Sequence, residues 1–182
     1  MDKTTLRREI RAAKKAVPFH EKLQRSEAIM QQVAALPQFV SARTVLLYWS
    51  MDDEVQTREF VGQWYRQKNI LLPCVDGDIL RLRPFSGTDH MVAGESFGIG
   101  EPTGEEFTDY ENIDLIVVPG VAFDTHGNRM GRGRGFYDRL LKLTPHAYKV
   151  GVAFDFQMRD TIPTEPHDIA MDRVICELRV ES

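Results

Sequence analysis

The chain has 182 residues, 42% hydrophobic and 27% charged, enough for one buried core and ordinary for a soluble globular protein. A net charge of −4 argues against a general nucleic-acid binder, and the absence of a long apolar run argues against a membrane span. Met1-Asp2-Lys3-Thr4 lacks the apolar core of a signal peptide, and Cys74 and Cys176 have no zinc spacing; a cytoplasmic chain is expected, with a disulfide left open.

Leu6, Ile10, Ala13 and Val17 recur at helical spacing, so residues 3–16 are expected as an amphipathic helix with a basic outer face. Pro18 breaks it and opens a second helix over about 19–36, ended by Pro37. The apolar run from Arg43 to Ser50 predicts the first buried strand. Thr57 is placed to cap a helix over 58–68, and Asn69 to Val75 predicts a second strand. That order favours a parallel pair with a crossover helix. Asp76-Gly77 marks a turn into a hairpin partner at Ile79 to Phe85. Residues 86–112, rich in Gly, Pro and acid, predict a long irregular connection. Further strands are expected at Asp114 to Val118, Lys149 to Phe154 and Arg173 to Val180, with a helix at Phe136 to Leu143. The expected fold is a single α/β domain over 1–182, a Rossmann-like three-layer sandwich with a mostly parallel sheet and helices on both faces.

Positive charge gathers in two islands. Lys3, Arg7, Arg8, Arg11, Lys14 and Lys15 lie near the start, and Arg129, Arg132, Arg134 and Arg139 follow the Asp114–Val118 strand. On an acidic protein this points to a local anionic ligand rather than a polyanion. The second island also holds Gly127, Gly131, Gly133 and Gly135, directly before a helix-forming stretch. Glycines let an anion approach the backbone, and arginines add forked donors for phosphate oxygens. The loop has no GxxxxGK[ST], and Phe136 stands where a dinucleotide GxGxxG would need glycine. A single short RGRGF run in an acidic domain is weak support for RNA contact.

The run from Gly127 to Arg139 (GNRMGRGRGFYDR) resembles the signature of the 5-formyltetrahydrofolate cyclo-ligase (5,10-methenyltetrahydrofolate synthetase) family. Three further stretches agree in order: Lys3-Thr4-Thr5-Leu6-Arg7, Ser50 to Val55 (SMDDEV) and Pro166 to Asp172 (PHDIAMD). The resemblance implies an enzyme that splits ATP with Mg2+ to close the ring of 5-formyltetrahydrofolate. It implies ATP contacts from Lys3, Thr4, Thr5, Leu6 and Arg7, and from Arg129, Met130, Gly131, Arg132, Gly133, Arg134, Gly135, Phe136 and Tyr137. Folate contacts are implied for Trp49 and Glu54 and for Arg132 to Phe136, catalytic roles for Arg132, Arg134 and Tyr137, and Mg2+ ligation for Asp138 and Asp168.

Ordinary roles stay open beside these. Trp49, Phe136 and Tyr137 also suit core packing, Asp138 suits a first helical turn, Asp168 suits a turn cap, and Asp172 is a weaker metal candidate. His126 and His167 read as structural. Arg134 stands where the family often has Lys, and Trp49 where an aliphatic residue is frequent. The expected partners are small molecules only, with neither nucleic acid nor membrane, and the expected state is a monomer.

Overall fold

The computed structural model describes residues 1–177. Helix α1 (Lys3–Lys15) starts at Asp2, whose carboxylate accepts from the Thr5 amide at 2.7 Å. α2 (Phe19–Ala35) follows Pro18, and α3 (Pro37–Ser41) is a short additional helix opened by Pro37. β1 (Thr44–Leu46) and β2 (Asn69–Asp76) pair in parallel across α4 (Arg58–Trp64), and β3 (Ile79–Pro84) returns antiparallel to β2. A small hairpin follows, β4 (Met91–Ala93) with β5 (Gly100–Pro102). Then come β6 (Leu115–Val118), β7 (Ala122–Asp124), β8 (Arg129–Met130), α5 (Phe136–Lys142), β9 (Tyr148–Val152), β10 (Met158–Arg159) and β11 (Arg173–Ile175).

The main sheet runs β11-β9-β6-β1-β2-β3, parallel except for β3. The chain moves outward from β1 in one direction and, after β6, outward in the other. Strand order therefore reverses between β1 and β6, and an open α/β sheet has its crevice at that point, beyond the carboxyl ends of the strands. Alternate residues serve opposite faces. Val45, Ile70, Leu72, Leu115 and Val117 pack with α2, α3 and α4, whereas Leu46, Leu71, Ile116 and Val118 pack with Leu140 and Leu141 of α5. Helices on both faces and a mostly parallel sheet agree with the sequence. Among the described residues no helix is long and apolar enough to cross a membrane.

Several local expectations are corrected. β1 ends at Leu46, because the polar backbone of 48–50 is satisfied sideways by the following segment rather than by the sheet. The Thr57 hydroxyl donates to the Tyr48 carbonyl, the Thr57 amide to Ser50 Oγ at 3.0 Å, and Arg58 Nε to the Ser50 carbonyl at 2.9 Å. Thr57 thus makes no side-chain cap on α4, which ends at Trp64. The 86–112 connection is not wholly irregular, since it holds the β4–β5 hairpin. α1 packs Leu6 and Ile10 on Val121, Ala122, Met130 and Ile162, a small sheet β10-β7-β8 set apart from the main one. Residues 178–180 of the expected last strand lie outside the described residues. Cys74 is a buried free thiol, and burial pushes it up to about 11.

Gly127 is the tightest point of the loop. Its φ is +83°, its carbonyl accepts from the Met171 amide at 2.7 Å, and a Cβ there would meet the Met171 carbonyl oxygen at 2.6 Å. Gly127→Ala is expected to cost about 2 kcal/mol, lowering the melting temperature by roughly 6 °C. An unchanged thermal melt would show that the Met171 contact yields freely.

Candidate functional site

The chain bends at the carboxyl ends of β1 and β6, and a crevice there, too narrow to admit a water molecule, is lined by Tyr48, Glu54, Val55, Pro119, Gly120, Val152 and Gln157. Its walls are held by polar bonds that leave little freedom. The Tyr48 hydroxyl donates to the Val55 carbonyl at 2.8 Å. Gln157, buried, donates to the Gly120 and Val121 carbonyls at 2.9 and 3.1 Å and accepts from the Phe154 amide at 2.9 Å. Glu54 accepts from the Met51 amide at 2.8 Å, and burial pushes its carboxyl above the usual carboxylate range.

The Gly/Arg loop begins on β8 and is anchored by Arg129. That side chain is 8% exposed; its Nε donates to the Pro119 carbonyl at 2.6 Å, its guanidinium lies 3.7 Å from Asp138, and it covers the Tyr137 ring at 5.2 Å. Arg129 is therefore an internal organiser of the loop. Upstream, Asp124 is buried and accepts from the His126, Asn128 and Ile162 amides and from Asn128 Nδ2, closing the turn before β8. Gly135, with φ +71°, turns the chain into α5, whose first turn carries no side-chain cap. α5 spans two turns, so the helix end contributes less positive potential than the loop arginines.

The two basic islands meet. Arg7 Nε donates to the Gly131 carbonyl at 3.1 Å, and the Arg7 guanidinium lies over Gly133. Lys3 sits 3.7 Å from Glu165, in the turn that also holds Asp168. Thr5 is engaged in capping α1, Thr4 is exposed, and the side chains of Leu6 and Met130 are buried in the α1 interface. Arg11 is exposed and makes none of these contacts. Arg132 is exposed and reaches Asp53 at 3.2 Å, while Arg134 lies over the Phe136 ring at 4.8 Å. The Tyr137 ring is wedged between Arg129 and the Glu54 side of the crevice, and burial pushes its hydroxyl well above the usual phenol range.

Asp138 and Asp168 both lie within electrostatic reach of Arg129. Asp168 also accepts from the Glu165 amide at 2.8 Å, the turn role open to it from sequence. His167 lies 3.6 Å from Asp168 on the surface, and His126 is exposed. Asp172 accepts from the Lys149 amide at 2.8 Å, a structural use. Among the described residues no three His, Cys, Asp or Glu side chains gather to hold a metal ion.

Trp49 flanks the crevice without lining it. Its ring stacks on Phe85 at 5.7 Å, beneath Arg58 at 5.1 Å, and its indole edge borders Gly100 of β5. Tyr48 takes the lining position instead. A more open groove beside β3, lined by Arg81, Arg83, Glu101 and Glu106, is spanned by its own Arg81–Glu106 pair at 3.0 Å and gathers no comparable set. Sequence reasoning missed Tyr48, Gln157, Lys14 and Asp53; only Lys14 carried a signal, as it continues the Leu6, Ile10 stripe four residues on.

The model of the 5-formyltetrahydrofolate cyclo-ligase family matches residues 1–177. A mouse 5-formyltetrahydrofolate cyclo-ligase is 32% identical, over 96% of this chain and 93% of its own, and an Escherichia coli one is 29% identical, over 94% and 98%. The solved Aquifex aeolicus 5,10-methenyltetrahydrofolate synthetase superposes with a TM-score of 0.85 at 35% identity, covering 96% of this chain and 89% of that one. Whole-chain matches in sequence and in fold, with the two basic islands meeting at the strand-order reversal, place the chain among the enzymes of the 5-formyltetrahydrofolate cyclo-ligase family.

Proposed function

We propose that the chain, acting as one domain, converts 5-formyltetrahydrofolate and ATP to 5,10-methenyltetrahydrofolate, ADP and phosphate. The observation that carries this reading is the Arg7–Gly131 bond at 3.1 Å, which joins the basic end of α1 to the Gly/Arg loop beside the Glu54 crevice. ATP is bound by Lys3 to Arg7 and by Arg129 to Tyr137, with Leu6 and Met130 packing the two segments against each other. The folate enters from the Trp49 and Glu54 side, where an ionised carboxylate suits the N–H donors of the pterin. Arg132 to Phe136 lie between the two.

In this scheme the formyl oxygen attacks the γ-phosphorus and the bond to ADP breaks. N10 then attacks the activated carbon and gives up its proton. The C–O bond breaks, and phosphate leaves carrying the former formyl oxygen. Arg132 and Arg134 offset charge on the phosphoryl oxygens, and Tyr137 and Glu54 fix the folate against them. Asp138 and Asp168 are hard oxygen donors of the kind Mg2+ accepts together with waters and phosphate. Bound Mg2+ would neutralise phosphate charge. Asp138→Asn is expected to raise the Mg2+ concentration for half-maximal rate about tenfold; an unchanged Mg2+ requirement would remove Asp138 from the metal site.

The test is direct: purified protein with 5-formyltetrahydrofolate, MgATP and buffer should develop methenyltetrahydrofolate absorbance, and none without ATP. ATP-independent or absent turnover would overturn the proposal. The same reading has the chain working in the cytoplasm as a monomer, for which light scattering should return 20.8 kDa.

A further inference from the structure

Lys14 lies on the buried stripe of α1, one turn past Ile10, with only 6% of its surface exposed. A lysine is rarely so enclosed unless its charge is used. Its ammonium lies 3.9 Å from Asp53, and Asp53 in turn holds the Arg132 guanidinium at 3.2 Å. Glu54, Arg132 and Lys22 are the other charged groups that face it. Lys22, on α2, is itself 8% exposed. Asp53 and Glu54 are adjacent carboxylates on the crevice loop, and the buried ammonium of α1 is the internal counter-ion of Asp53.

Without that ammonium, Asp53 would keep Arg132 alone as its ion-pair partner, and the Arg132 position would be less defined. The Arg132–Asp53 pair is half exposed, so alone it would be a weak tether. Joined to a buried charge, it becomes the exposed end of a three-member chain that couples α1, the crevice loop and the Gly/Arg loop. We propose that Lys14 is a positioning residue for the folate side of the site: through Asp53 it holds Arg132 beside the crevice loop. This rests on the cyclo-ligase reading above for its substrate, and not for the ion chain itself.

The test is a double-mutant cycle on Lys14→Met and Asp53→Asn, with Lys14→Arg as the conservative variant. Each neutralising change is expected to raise the KM for 5-formyltetrahydrofolate about tenfold, the scale of one charge-assisted hydrogen bond, and, because Arg132 also serves the phosphoryl oxygens, to lower kcat in the same variants. The double variant should be no worse than the weaker single one, and Lys14→Arg should restore the folate KM. Effects that multiply or an unmoved folate KM would each overturn the proposal. The ion chain is also read without substrate. Brief trypsin treatment of the free protein should cut after Arg132 several-fold faster in Lys14→Met and Asp53→Asn, and at the parental rate in Lys14→Arg. Equal cleavage rates in all four proteins would overturn it even if turnover is robust. Faster cleavage in a protein that shows no turnover would retain the ion chain and remove the cyclo-ligase reading instead.

Discussion

Replacing Arg129 by lysine is expected to lower turnover about a hundredfold and to destabilise the fold, although positive charge is conserved. The planar fork of Arg129 donates from Nε to Pro119 at 2.6 Å, faces Asp138 at 3.7 Å and covers the Tyr137 ring, all while nearly enclosed. An ammonium can reach one of these partners and leaves the others unmet. A broken buried network of this kind costs about 3 kcal/mol, or roughly 9 °C in melting temperature. The same change frees Asp138 and Tyr137 from their common support, and misplacement by a fraction of an ångström lowers the rate constant by about a hundredfold. Thermal melts and steady-state kinetics below the melting range check both parts. Normal values would mean that Arg129 is not the organiser of the loop.

Glu54→Gln is the second large effect, and it separates affinity from stability. Glutamine keeps the acceptor for the Met51 amide but loses the charge proposed to meet the pterin, so the folate KM is expected to rise about thirtyfold. Burial, the first cause, pushes the Glu54 carboxyl up, with Asp53 adding to it and the Met51 bond, Arg132 and Lys14 opposing. As pH falls through that raised value the carboxylate is protonated and folate binding weakens. The acidic limb of kcat/KM should therefore lie above the ordinary carboxylate range and vanish in Glu54→Gln. The stability sign is opposite. A carboxyl whose folded value is raised contributes stability below its unfolded value, lost as pH rises through the folded one. At neutral pH the ionised Glu54 is a burden on the fold, and Glu54→Gln should melt higher than the parent. A lower melting temperature with an unmoved acidic limb would assign the limb to another group.

The main sheet is legible in the sequence because its strands are runs of apolar and β-branched residues bounded by Pro, Gly and Asp. Leu115 to Val118 and Ile70 to Leu72 could hardly be read otherwise. The small sheet is not legible. β8 and β10 are two residues each, and β10 is held to β7 by parallel pairing of Met158 with Phe123, a contact that no local periodicity encodes. The Gly/Arg loop is visible as a phosphate-type motif, yet its arginines look alike in sequence. Only packing separates Arg129, turned inward onto Pro119 and Tyr137, from Arg132 and Arg134, which stay exposed. Tyr48 and Trp49 show the same limit. Both follow β1, and the early end of that strand decides which one lines the crevice and which one packs on Phe85. Lys14 sits in plain view at helical spacing, but its basic neighbours disguise it as part of an outer face until Asp53 is brought against it.

All the proposed roles converge on one chemical event, transfer of the γ-phosphoryl group to the formyl oxygen where the Gly/Arg loop meets the Glu54 crevice. Isotopic labelling reads that event directly. With 18O in the formyl group of 5-formyltetrahydrofolate, a single turnover with MgATP should deliver the label to the released inorganic phosphate, one atom per methenyl group formed. Label appearing in water, with unlabelled phosphate, would contradict the account.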